Sequence, residues 1–140
     1  MKRVILFASL TLLSLGAFAA EPSSSPPKAK VFIIAPKNHA TVSNPVTVRF
    51  GLEGMSIAPA GTQLANSGHH HLLIDTAVPK DLSQPLPAIE NKVVHFGKGQ
   101  TETTLTLPPG THTLQLVLGD YLHVPHNPPV VSKKITIVVK

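Results

Sequence analysis

The sequence predicts an all-β fold, an immunoglobulin-like antiparallel β-sandwich of about seven strands. Three observations favour this fold. Apolar and polar residues alternate in several short segments, turn residues such as Pro, Gly and Asn separate these segments, and no segment after the first twenty residues shows a sustained apolar period of 3.6 residues. An up-and-down barrel is the alternative, but the chain has few aromatic residues to fill a barrel lumen.

The first three predicted strands occupy the N-terminal half of the domain. Residues 31–35 are an apolar run that ends at Pro36, and residues 46–53 show the alternation of a half-buried strand. A long loop covers residues 54–68. The third strand follows at residues 70–75, where histidines lead directly into apolar residues.

The last four predicted strands are shorter or more regular. Residues 92–96 form a brief strand that a Gly-Lys-Gly turn closes, and residues 102–107 alternate Thr with Leu. A Pro-Pro-Gly turn then leads into alternating leucines at residues 112–118, a hairpin that resembles the one near the end of many sandwich domains. Alternating Ile and Val close the domain at residues 131–139.

Three regions divide the chain. Residues 1–19 are expected to be a signal peptide, because two basic residues precede an apolar stretch that ends in a small-x-small cleavage motif at Ala19. A membrane anchor is the alternative, but a spanning helix needs about 20 apolar residues. Residues 20–30 predict a flexible Pro/Ser-rich leader, and residues 31–140 a single domain. A periplasmic or secreted protein without stable membrane insertion is therefore expected.

Composition argues against several functions. The chain has no Cys, so it offers neither a disulfide nor a thiolate ligand. Its basic residues are scattered and aromatic residues make up only 4% of the chain, which argues against a nucleic-acid partner. No GxSxG motif and no pair of neighbouring carboxylates marks a catalytic nucleophile, so the protein is not expected to be an enzyme.

Histidines carry the functional signal. In an antiparallel Greek-key sandwich, the loops after the second, fourth and sixth strands share one pole. Most of the histidines flank these loops, whereas His39 and His112 fall at the opposite end, where His112 is expected to be structural. The candidate metal ligands at the shared pole are His69, His70, His71, His95, Asp120, His123 and His126.

Strand alternation sorts part of this set. His69 and His71 share one face of the third strand and are expected to point outward, whereas His70 shares the core face with Leu72 and Ile74. Asp120 is expected either to bind the ion or to fix an imidazole tautomer. The position of His95 leaves two alternatives open, a metal ligand or a support for the loop that follows it.

Three sequence blocks carry a resemblance to a known family. GHHHLLID at residues 68–75, HFGKGQTE at residues 95–102 and LPPGTHTLQLVLGDYLHVPHNPPV at residues 107–130 resemble a family of small exported bacterial proteins that is a domain of unknown function. The resemblance covers roughly residues 46–139 and implies no activity. It implies that the His-rich pole is a family feature, because the family motifs include His70, His71, His95, His112, Asp120, His123 and His126.

Imidazoles with one carboxylate favour a transition metal. The Irving–Williams order puts Cu(II) first in affinity, and Zn(II) is the second choice. The sequence therefore predicts a copper-binding protein that acts in storage, delivery or tolerance, with no protein partner indicated. The alternative is a metal-free adhesion or assembly module of the cell envelope, whose His-rich loops bind protein or glycan.

Overall fold

A computed structural model describes residues 22–140, so the expected signal peptide lies outside the described residues. Nine strands and no helix occur in this range. It therefore contains no helical segment that could cross a membrane. The strands are β1 (Lys30–Ala35), β2 (Thr41–Val42), β3 (Val46–Glu53), β4 (Ser56–Ile57), β5 (Ser67–Ile74), β6 (Val93–His95), β7 (Glu102–Leu105), β8 (Gly110–Gly119) and β9 (Ile135–Val139).

The strands form two sheets, which confirms the predicted all-β sandwich. One sheet has the order β1-β3-β7, and the other has the order β2-β9-β8-β5-β4 with β6 paired to β5. All seven predicted strands are present. The two additional strands, β2 and β4, have two residues each and pair in parallel with β9 and β5. A two-residue strand is too short to show alternation, and so the sequence did not reveal these two.

Two predicted boundaries differ from the structure by three residues or more. Strand β5 begins at Ser67, three residues before the predicted start, because Ser67 and Gly68 pair with β4. Strand β9 begins at Ile135, and the predicted residues 131–134 before it are not part of the strand. There Ser132 bonds to Leu116 through both its backbone N–H and its hydroxyl oxygen, so this segment follows β8 without a regular ladder.

The main core lies between the two sheets. Alternate residues of β3 point into it, as the sequence pattern predicts. Strands β5, β8 and β9 supply the opposing side chains. The buried core residues are Val31, Val46, Val48, Phe50, Leu72, Ile74, Phe96, Leu107, Leu114, Leu116, Leu118, Val130, Ile137 and Val139.

A second, smaller apolar cluster covers the outer face of the six-stranded sheet. Leu73 and Val117 project from that face and pack with Leu86, which belongs to the connection between β5 and β6. All eight residues of β5 are consequently buried, although a two-sheet sandwich would expose one face. This explains the unbroken apolar run after the histidines, and it places His69 and His71 under a protein cover.

The described part of the expected leader is bound to the domain. The Ser23 hydroxyl donates to Asp120 (2.7 Å), and the Ser25 hydroxyl donates to the Pro128 carbonyl (2.6 Å). The Asn127 N–H donates to the Ser23 carbonyl (2.9 Å). Residues 22–30 therefore make defined contacts with the domain, and the flexibility expected of this leader stays a prediction. The serines that suggested flexibility instead supply hydrogen bonds to the loop after β8.

Candidate metal centre

Strand pairing brings the histidines of three segments together. In the register of the six-stranded sheet, His71 lies opposite His95 of β6 on one side and Val117 of β8 on the other. His69 lies opposite Gly119, the last residue of β8, and the following turn carries His123. The outer face of β5 thus presents His69, His71 and then Leu73, in the alternation that the sequence predicts.

Four imidazoles form one compact group, here called the histidine cluster: His69, His71, His95 and His123. Their ring centroids are between 4.6 and 5.9 Å apart. His69, His95 and His123 each offer one nitrogen, and these three nitrogens lie within 4.8 Å of one another. The Nε2 atoms of His69 and His95 are 3.0 Å apart. Without a metal, that contact needs a proton on one nitrogen, and a metal ion would instead use the lone pairs of both.

Burial differs across the histidine cluster. His69 and His71 are 0% and 2% exposed because the connection after β5 and the turn after β8 cover them. His95 is exposed and His123 is half-buried. The sequence predicted that His69 and His71 point outward, and they do leave the main core, but they do not reach solvent. The cluster therefore has a closed inner side and an accessible outer side.

Glycines give the imidazoles the space they occupy. A Cβ atom at Gly119 would lie 2.6 Å from Cε1 of His71 and 3.3 Å from Cα of His123. A Cβ atom at Gly97 would overlap the ring of His95. Since a real Cβ does not approach other atoms that closely, these two positions are restricted to glycine as long as the rings stay where they are.

Asp120 organises the turn that carries His123. Its Oδ1 accepts the N–H groups of Leu122 (2.9 Å) and Val124 (3.0 Å), and its Oδ2 accepts the Ser23 hydroxyl (2.7 Å). The His123 N–H donates to the Asp120 carbonyl (2.9 Å), and His123 has a positive φ of 69°. Asp120 therefore holds His123 through the backbone, and its own oxygens are directed to the turn.

Two histidines of the predicted set lie outside the cluster. His70 is on the core face, where its ring centroid is 5.1 Å from that of Phe50. The Nε2 of His126 donates to the Ser67 carbonyl (3.0 Å), so His126 joins its loop to the start of β5. Of the seven residues that the sequence indicated, the structure thus gathers His69, His71, His95 and His123.

The comparisons with known proteins identify a family. The family described as "Domain of unknown function (DUF4399)" matches residues 48–140, which is more than half of the chain. The chain belongs to this family. The resemblance that the sequence blocks indicated is thereby confirmed. No curated protein and no solved structure matches the chain. Because the family name carries no activity, the function of this DUF4399 domain must be inferred from its site.

Three residues of the histidine cluster, His69, His71 and His95, have a lowered pKa that favours the neutral form. Burial lowers the pKa of His69 to about 4, with further lowering by His95 and His123. Burial, and then the neighbouring imidazoles of His69, His95 and His123, lowers the pKa of His71 to about 3. Burial and then His123 also lower the pKa of His95. A metal ion binds only the neutral imidazole, so these residues need not lose a proton near neutral pH.

Several buried ring nitrogens have no hydrogen-bond partner among residues 22–140. Such atoms are rare in folded proteins, because each costs about 1–3 kcal/mol. Those of His69 and His71 belong to the histidine cluster, so part of this cost falls on the residues of the candidate site. The unpaired atoms are Nδ1 of His69, both nitrogens of His70, Nδ1 of His71 and Nδ1 of His126.

His112 of this DUF4399 domain lies at the opposite end and is structural, as expected. Its Nδ1 bonds to Asp75 (2.6 Å) and its Nε2 to the Pro108 carbonyl (2.8 Å). Both bonds raise the pKa of His112, and the bond with Asp75 has the larger effect. Burial favours a higher pKa for Asp75, but its bonds with Thr113 N–H and His112 outweigh this and lower the pKa. The sequence pattern did not indicate this role of Asp75, which directly follows the β5 run and has a positive φ of 51°.

Proposed function

We propose that this protein binds one transition-metal ion through His69, His95 and His123, with Cu(II) as the preferred ion and Zn(II) as the second choice. The observation that carries the proposal is the approach of three imidazole nitrogens from three separate segments to within 4.8 Å. The proposed setting is the periplasm, and the proposed role is storage, delivery or tolerance of copper.

The surroundings of the three residues support metal binding over a structural role. A structural histidine uses its nitrogens for hydrogen bonds, as His112 does. His69 keeps a buried Nδ1 without a partner in the described part of the chain, and its Nε2 faces another imidazole. The unpaired Nδ1 costs stability, and the lone pairs of the two facing Nε2 atoms are the ones that a metal ion would use.

The ligand types support copper as the first choice. Imidazole suits Cu(II) and Zn(II), and the Irving–Williams order favours Cu(II) at equal geometry. The chain has no Cys to form a soft thiolate site. Asp120 directs its oxygens to Ser23 and to backbone N–H groups, so the proposed ligands are imidazoles alone.

Burial argues against the alternative of an envelope adhesion module. Such a module would present its histidines to a protein or glycan, whereas His69 and His71 are 0% and 2% exposed. Only His95 and His123 of the histidine cluster reach the surface.

Metal analysis of untagged protein tests the proposal. The protein should be purified without a His tag, analysed for metal content, and then titrated with Cu(II) and Zn(II). We expect one tightly bound ion per chain, with tighter binding of Cu(II). A His39→Asn variant is the matched control, because His39 lies outside the histidine cluster and Asn tolerates its positive φ of 64°. Absence of stoichiometric metal at micromolar concentration would refute the proposal.

A further inference from the structure

We infer that the ion in the histidine cluster keeps an open coordination position on its outer side and takes a small anion there. This inference rests on the proposed function. It adds a second ligand class to the site, and it follows from the shape and charge of the cleft in front of the cluster.

The cleft lies where the histidine cluster is accessible. Its volume is about 280 Å³. The imidazoles of His71, His95 and His123 line it together with residues 85–88 and Val93. Clefts that hold drug-sized ligands begin near about 300 Å³, so this space is large enough to admit a small anion.

The number of protein ligands leaves room for an exogenous one. Among the described residues, only three nitrogens meet the mutual 4.8 Å spacing, those of His69, His95 and His123. Zinc sites with three protein ligands keep a position for water or substrate, whereas structural sites are closed by four. His69 lies on the buried side and His95 and His123 line the cleft, so the free position of the ion faces the cleft.

Charge selects an anion over a neutral molecule. Three neutral imidazoles leave the charge of a divalent ion uncompensated, and the apolar wall of Pro85, Leu86, Pro87 and Val93 does not screen it. Within residues 22–140, none of the side chains that line the cleft is a carboxylate or a Lys or Arg. The nearby carboxylate of Asp120 acts electrostatically on His69 but accepts bonds from its own turn and from Ser23, so it offsets the charge of the ion only in part. A small anion would therefore lower the free energy of the site.

Azide binding to the Cu(II)-loaded protein tests the inference. Electron paramagnetic resonance would follow the Cu(II) signal, and visible absorption would follow azide-to-copper charge transfer. We expect saturable changes in both, with copper retained after dialysis. An Ala88→Trp variant should weaken azide binding by more than about tenfold, because exposed Ala88 lines the cleft and Trp would fill it.

The matched control is Ala77→Trp, at an exposed alanine that does not line the cleft. It should bind azide like the unmodified protein, and circular dichroism would check that both variants fold. Ala88→Leu is a smaller change for use if Ala88→Trp does not fold, and it should also weaken azide binding.

Each other outcome overturns the inference in a distinguishable way. Copper binding without any azide effect would mean that the position is closed; if His71→Ala then restored azide binding, His71 would be the fourth ligand. Equal azide binding by Ala88→Trp and the control would place the open position elsewhere. Loss of copper during the titration would show that azide removes the ion from the protein and does not bind to it in the site. No copper uptake at all would refute the proposed function itself.

Discussion

Histidines occupy two contrasting environments at opposite ends of the six-stranded sheet. At one end, His112 uses both ring nitrogens in hydrogen bonds. These bonds raise the pKa of His112, and the bond with Asp75 has the largest effect. At the other end, burial lowers the pKa of His69 and His71 to about 4 and about 3, and each has a buried nitrogen without a partner in the described chain. The first arrangement stabilises the fold, whereas the second lowers stability and keeps these imidazoles neutral, the form that binds a metal ion.

The largest expected effect concerns the three proposed ligands. His69→Ala, His95→Ala and His123→Ala should each weaken Cu(II) binding by more than about 100-fold, because loss of even an outer hydrogen-bond partner of a ligand costs 10- to 100-fold. Isothermal titration with a chelator competitor would measure this. His112→Gln should bind like the unmodified protein, and an equal loss in that variant would remove the contrast between the two ends.

The packing of the cluster gives the second effect. Gly119→Ala places a Cβ 2.6 Å from the His71 ring and should destabilise the protein by up to about 3 kcal/mol. In a His71→Ala background most of this cost should disappear, leaving only the contact with His123. Urea unfolding of the four proteins in this double-mutant cycle would measure the coupling. Equal costs in both backgrounds would mean that the His71 ring does not occupy this space.

The third effect is a pH dependence of the metal-free protein. In the folded state burial lowers the pKa of His70 to about 4, whereas the unfolded residue has a pKa of 6.5. The unfolded chain therefore binds more protons between these values, and stability is lost as pH falls through that window. His70→Leu should remove this loss, on the order of 2 kcal/mol at pH 4.5, and should also raise stability at pH 7 by removing two unpaired nitrogens.

Urea unfolding in the presence of a chelator would measure both consequences of His70→Leu. Copper binding should be unchanged, because His70 faces Phe50 on the core side. A variant that is less stable than the unmodified protein at both pH values would show that His70 has a partner in the core.

The smallest effect concerns the structural end. Asp75→Asn should cost about 1 kcal/mol, since Asn tolerates the positive φ but loses the charged bond to His112. The raised pKa of His112 gives stability that is complete below pH 6.5 and is lost as pH rises. The lowered pKa of Asp75 gives stability that is present above 3.8 and is lost as pH falls. The cost should thus be greatest between about pH 4 and 6.5, the window in which the lowered pKa of His70 costs stability.

The strand pattern predicted most of the fold and the two faces of β5. Alternation correctly separated His70 from His69 and His71, because a strand leaves no other choice once the core face is known. It could not reveal that the connection after β5 places Leu86 on the outer face, since contacts of a loop depend on tertiary packing. For the same reason the burial of His69 and His71 was not predicted.

The sequence predicted which end of the sandwich holds the site, but not which of the residues at that end form it. Asp120 and His126 lie at the correct end, but their hydrogen bonds to Ser23 and Ser67 depend on loop conformation that spacing does not encode. A signal for Gly119 was present, because a glycine at the end of a strand of leucines suggests a close approach. Its partner, His71, could be identified only from the register of β5 and β8.

Nitrogen-15 NMR of the imidazole rings during a Zn(II) titration tests the central claim most directly, since it reports each histidine separately. At one equivalent of Zn(II), the ring nitrogens of His69, His95 and His123 should shift together, while those of His39 and His112 stay unchanged. Shifts that are confined to His39 and His112, or spread evenly over all histidines without saturation at one equivalent, would contradict a metal site in the histidine cluster.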